Sequence, residues 1–148
     1  MLTQTLIWLF NRDLNKLKFE IESYKTESNL WVIDKGILNS AGNLCLHLIG
    51  NLNTYIGATL GQSGYVRNRE LEFSLKNIPQ QELVKKIEDT ILVLNKTLEV
   101  LTENDLNAEY PLVVFEDKMT TEFFLVHLTT HLTYHLGQIN YHRRLLDL

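Results

Sequence analysis

Hydrophobic residues along this chain recur at the spacing of helical turns. From Leu2 to Tyr24 they stand at Leu6, Leu9/Phe10, Leu14, Leu17 and Ile21, close to a period of about 3.6, which predicts a first helix. The segment Glu27 to Asn39 breaks the pattern. Ser40 is a suitable N-cap for a second helix through SAGNLCLHLIGNLNTYIGATL, with Leu44, Leu48, Leu52, Tyr55 and Ile56 on one face. A third opens with Pro79 as a first-turn residue. Its seam of Leu83, Ile87, Ile91, Leu94, Leu98 and Leu101 steps by 4, 4, 3, 4 and 3. A fourth is expected from about Thr120 to Leu146. Between them lie a long mixed loop, GQSGYVRNRELEFSLKN, and the stretch Asn104 to Lys118, where Val113-Val114 predicts a short extended piece. Four helices of ~20 to 27 residues predict an all-α four-helix bundle, one domain over residues 1–148.

Composition agrees. With 45% apolar and 22% charged residues, the 148-residue chain can bury a proper core. Two prolines and seven glycines leave long stretches without breakers. Gly50 and Gly57, one heptad apart on the second helix, are expected to let another backbone come close. A net charge of −4 argues against binding nucleic acid through its phosphates. Cys45 is the sole cysteine, which excludes an internal disulfide and a cysteine-based zinc site. It lies about 200° around the helix from His47 and reads as ordinary core. The early run LIWLF lacks a basic flank and a small-residue cleavage site, and no stretch approaches a membrane span. A soluble, cytoplasmic protein without a membrane partner is expected.

One count changes the picture. Of five histidines, four fall in the last 22 residues: His127, His131, His135 and His142. At about 100° per residue, these four and Gln138 share an arc of about 80°. His131 points nearly as Phe124 does and His135 as Leu128 does, so the polar stripe lies within or beside the core-facing side. Imidazoles at i and i+4 can converge on one metal ion. His47 lies about 60° from Leu44 and also points inward. Two histidines of the fourth helix with His47 would make a three-nitrogen site with open positions, a pattern of catalytic more than structural metal sites. His127 pairs with His131 at the same spacing as His131 with His135, which leaves its role open. His142, beside Arg143 and Arg144, reads as a cation at a helix end. No HExxH motif exists, and no Glu stands three residues before any histidine, so metalloprotease and di-iron carboxylate patterns are absent. Nitrogen-rich ligation suits Zn or Ni first, with Fe, Mn or Co behind.

LCLHLIGNLNTYIGA followed by HLTTHLTYHLGQINYHRRLL, with GYVRNRELEFS in the long loop, resembles the DinB-like (DinB/YfiT-like) superfamily of four-helix metal-binding proteins, and within it a branch described as a domain of unknown function. The resemblance covers most of the chain. It implies one ligand from the second helix, His47, and two from a His-x-x-x-His pair ahead of Gly-Gln, here His131 and His135. It also implies thiol S-transferase or metal-dependent hydrolase chemistry on a small molecule, a low-molecular-weight thiol being one expected partner.

An ion held by three neutral imidazoles keeps its charge and an exchangeable position, enough to favour an ionised thiol or water near neutral pH. Asn51 and Gln138, each one turn from a ligand, are candidates for orienting an imidazole. Tyr55 is read either as a hydroxyl near the metal or as a core aromatic. No catalytic base stands out. Arg67 and Arg69 have the chemistry to grip a carboxylate, but Glu70 and Glu72 offer simple pairing, so a solvated or interface loop is expected. Lys85, Lys86, Glu88 and Asp89 read as a solvent face. The apolar excess of the first helix, together with the family habit, predicts a homodimer. The competing readings are a non-catalytic metal-binding or stress-response bundle and a metal-free scaffold.

Overall fold

The computed structural model describes residues 2–148. Among them six α-helices form: α1 (Leu2–Glu22), α2 (Ala41–Leu52), α3 (Arg69–Ser74), α4 (Gln80–Leu98), α5 (Glu103–Asn107) and α6 (Thr121–Leu146). No strand forms among the described residues; Val113-Val114 lies in irregular chain, and an isolated antiparallel bridge joins Glu109 to Thr120. The four predicted helices correspond to α1, α2, α4 and α6. They pack in a ring, α1 against α4 and α6, and α2 against the same two.

Local chemistry accounts for the boundaries. The Ser40 hydroxyl accepts from Asn43 N at 3.2 Å, and the Thr120 hydroxyl accepts from Phe123 N at 3.2 Å. Pro79 stands one position earlier than expected, as the N-cap of α4. Leu83, Ile87, Leu94 and Leu98 are buried, while Lys85, Glu88 and Asp89 face solvent. Each buried leucine or isoleucine contributes about 1.5–3 kcal/mol of transfer free energy.

α2 differs from the others because all twelve of its residues are buried. A helix apolar all round needs cover on every side. Its outer flank is closed by α3, which folds inside the loop expected to be irregular, and by a 3-10 turn over Glu27–Trp31. The Trp31 indole lies where a Cβ on Gly42 would come within 2.6 Å of it. α3 is pinned to α2 by the Asn43 amide, whose Nδ2 donates to the carbonyls of Glu72 and Leu75 at 2.9 and 2.8 Å.

Gly50 and Gly57 make room for side chains, not for a neighbouring backbone. A Cβ on Gly50 would sit 1.9 Å from Glu72 Oε2, and one on Gly57 would sit 2.8 Å from Val93 Cγ1. After Leu52 the helix widens into a π-turn over Asn53–Ala58, with Thr59 N donating to Thr54 O at 3.0 Å. Such turns insert a residue without ending the helix and are frequent at functional sites. This one carries Tyr55.

Candidate metal centre

His47 comes from the buried middle of α2, and His131 and His135 come from successive turns of α6. One ring nitrogen of each lies within 4.8 Å of those of the other two. His47 Nε2 and His131 Nε2 stand 3.3 Å apart. Two imidazole nitrogens each ~2.0–2.1 Å from a tetrahedral ion would be separated by about 3.3 Å, so the spacing fits.

Two of the three rings are held by acceptors on the far nitrogen. His47 Nδ1 lies 3.1 Å from Glu72 Oε1, and His135 Nδ1 lies 2.7 Å from Gln138 Oε1. Both oxygens accept, so both Nδ1 atoms donate, and a neutral ring then carries its lone pair on Nε2. A third side chain holds Glu72: Arg67 Nε donates to Oε2 at 2.8 Å and Arg67 Nη2 to Oε1 at 2.9 Å, a two-point grip on a buried carboxylate. Burial alone would raise the Glu72 carboxyl, but the bonds from His47 and Arg67 and the Arg67 charge outweigh it and hold it below the ordinary carboxylate value. The result is a chain of contacts, Arg67 to Glu72 to His47, running into the cluster from behind.

Electrostatics favour unprotonated imidazoles. Burial, followed by the neighbouring His135, His47, His127 and Arg67 charges, pushes His131 down to about 4. Burial also lowers His135, against the opposing bond to Gln138. Near neutral pH these rings have lone pairs to offer. His131 Nδ1 is buried without a partner. Leaving such a nitrogen unpartnered costs about 1–3 kcal/mol.

The other expected residues divide. Gln138 does orient an imidazole. Asn51 does not: it is buried, its Oδ1 has no partner, and the position beside His47 that it was expected to fill belongs to Glu72. His127 lies outside the cluster, stacked 5.9 Å from Phe124 and edge-on to Phe115. Tyr55 packs on Phe124 with the Arg67 guanidinium 5.8 Å above its ring. Arg67 pairs with Glu72 as expected, but inward and half-buried, not in a solvated loop. Arg69 forms no ion pair among the described residues and sits over Phe73. His142 is not a helix-end cation. It is 4% exposed, its Nε2 donates to Val32 O at 2.8 Å, its Nδ1 accepts from the Tyr24 hydroxyl at 2.7 Å, and burial lowers its pKa. Cys45 is fully buried core, its thiol pushed up by burial to about 12.

Glu72 is the functional residue that sequence reasoning missed as a partner of His47. The available signal was Gly50, one turn beyond His47, which makes room for that carboxylate. A cavity of about 360 Å³ opens beside His47 and His131. No helix among the described residues is long and apolar enough to cross a membrane. None of the curated proteins matches the chain. A family model matches residues 11–147, a span that includes the three histidines, Arg67, Glu72 and Gln138, and the chain belongs to that family, described as "Protein of unknown function (DUF1572)".

Proposed function

We propose that the chain is a single DinB-like four-helix bundle that binds a divalent metal ion through His47, His131 and His135 and uses it to act on a small molecule. The observation that carries this reading is the convergence of three imidazoles within 4.8 Å, with two of them fixed from behind by Glu72 and Gln138. An all-nitrogen set suits zinc or nickel, with iron, manganese or cobalt behind. The resemblance to thiol S-transferases and metal-dependent hydrolases supports a nucleophilic reaction, a low-molecular-weight thiol being one candidate substrate.

When bound, the ion would supply Lewis acidity that favours the ionised form of a thiol or water nucleophile. The chain's own residues set the stage for this. Glu72 holds His47 in one tautomer, Arg67 holds Glu72, and Gln138 holds His135. Phe115 and Phe124 wall the adjoining cavity. A homodimer through exposed α1 residues such as Trp8 and Phe19 belongs to the same proposal and is checked by sedimentation.

Elemental analysis of protein purified without added metal tests the site. About one equivalent of metal is expected, reduced to background in His47→Ala and His131→Ala; unchanged content in those variants would sink the assignment. Conjugation of several thiols to an electrophile by metal-loaded protein tests the activity, which should vanish in His135→Ala. A second reading has one observation in its favour: Glu72, the carboxylate at the cluster, is bound by both Arg67 and His47 and is not free to act as a base. On that reading the protein is a non-catalytic metal-binding or stress-response bundle, and the metal-loaded protein conjugates no thiol.

A further inference from the structure

The cavity beside the histidine cluster has two unlike kinds of lining. One is apolar, formed by Val114, Phe115, Phe124 and Leu128. The other is polar, with Arg67 and Arg69 beside Tyr55 and His127, and among the described residues no carboxylate lines the cavity. The two arginines are not equivalent. Glu72 stands behind Arg67 and takes its Nε and Nη2, which neutralises the charge and leaves the Nη1 edge over. Arg69, at the exposed side, has Phe73 beneath it and no ion pair among the described residues. Asn51, 7% exposed, lines the same space with its amide oxygen unpartnered. The chain therefore presents one uncompensated positive charge, a spare guanidinium edge and an unpartnered amide oxygen in a cavity that also has apolar lining.

We propose that this cavity takes a small organic monocarboxylate, its carboxylate at Arg69 and the Nη1 edge of Arg67 and its apolar body against Phe115, Phe124, Val114 and Leu128. The inference names the substrate class for the proposed metal centre and rests on that reading. Planar guanidinium edges match a carboxylate in geometry. A single unanswered charge matches a monoanion better than a doubly charged phosphate. Burying an apolar body against four apolar side chains supplies binding that a bare oxyanion would forgo. Arg67 Nη2 stands 3.4 Å from His47 Nδ1, so a carboxylate held at the arginines lies at the edge of the histidine cluster, where the reaction would take place.

Phenylpropionate and its uncharged amide, phenylpropionamide, are suitable probes, titrated into the full chain with and without zinc and followed by chemical-shift changes. The acid should bind both forms roughly tenfold or more tightly than the amide, the usual scale of a hydrogen bond to a charged group. Arg69→Gln should abolish that preference, whereas Lys16→Gln, on the exposed side of α1, should leave it intact. Equal binding of acid and amide, an acid preference that survives in Arg69→Gln, or tighter binding of inorganic phosphate than of phenylpropionate would each overturn the proposal. The metal reading is judged separately. Unchanged metal content in His131→Ala with intact acid binding to zinc-free protein would overturn the metal site and with it the substrate role, while the anion site would stand. Normal metal content without an acid preference would overturn the anion site alone.

Discussion

Gly50→Ala probes the contact chain behind His47 with a single methyl group. The new Cβ would lie 1.9 Å from Glu72 Oε2 and 2.6 Å from its Cδ. A free glutamate would swing aside at little cost. Glu72 is not free, because Arg67 holds it at 2.8 and 2.9 Å and His47 at 3.1 Å, and the carboxylate is 6% exposed. Relief of the clash therefore breaks a buried charge pair, a loss of about 3–5 kcal/mol. Alanine regains about 1 kcal/mol of helix propensity. The net expectation is a destabilisation of about 2–4 kcal/mol, or a melting temperature lowered by roughly 6–12 °C for a chain of this size. His47 also loses the acceptor that orients it. Loss of such a partner weakens metal binding about 10- to 100-fold, measurable by competition with a chromophoric zinc chelator. Gly137→Ala is the matched control. It sits exposed within α6 with nothing within 4 Å of its would-be Cβ, so the same substitution should stabilise by about 0.5–1 kcal/mol. If Gly50→Ala instead melts higher, as Gly137→Ala should, and binds zinc as the parent does, Glu72 does not occupy the place described and the account of His47 fails.

Other perturbations test separate parts of the structure. Gln138→Ala should weaken zinc binding by at most about tenfold, because His135 keeps its place on the helix and water can replace the exposed amide. Tyr24→Phe leaves His142 Nδ1 buried without a donor and should cost about 1–2 kcal/mol in urea unfolding. The metal-free protein should lose stability on acidification. His131 titrates near 4 when folded and near 6.5 when unfolded, so the unfolded chain binds the extra proton between those values. The stability is fully present above about pH 6.5 and falls progressively toward pH 4. The loss attributable to His131 is about 2 kcal/mol once its partial exposure is allowed for, and His131→Gln should flatten that part of the profile. A profile equally steep in the variant would show that His131 is not the group responsible.

What the sequence made legible, and what it did not, follows from the range of the interactions involved. The helices of the ring were readable because burial of one face leaves a period that survives in a single strand of text, as the Leu83–Leu98 seam shows. His131 and His135 were readable because they share a helix, so their separation is fixed by helix geometry. His142 belongs to the same arc, yet its fate was decided by Tyr24 and Val32, more than a hundred residues away in sequence, and no local rule carries that contact. α3 escaped notice for a related reason. Six residues are too few to establish a period, and the helix depends on Asn43 bonding to its carbonyls.

The site itself shows why a loop had to be involved. α2 is buried on every side, so the Nδ1 of an imidazole on it cannot rely on water and needs an acceptor brought in by another segment. Among the described residues no carboxylate of α1 or α4 bonds to His47. The segment between α2 and α4 supplies Glu72 instead, with Arg67 from the same segment to offset the cost of burying its charge. Gly50 supplies the space, at the expense of helix propensity in the most buried helix of the chain. A conformational penalty in α2, a buried ion pair and an unpartnered His131 nitrogen all lie within one small region. Each weakens the fold taken alone, and together they place three imidazoles with their free nitrogens facing one another. Buried polar groups occur elsewhere too, Asp13, Glu20 and His142 among them, but here they coincide with three converging imidazoles, and that coincidence is what supports reading the cluster as a site.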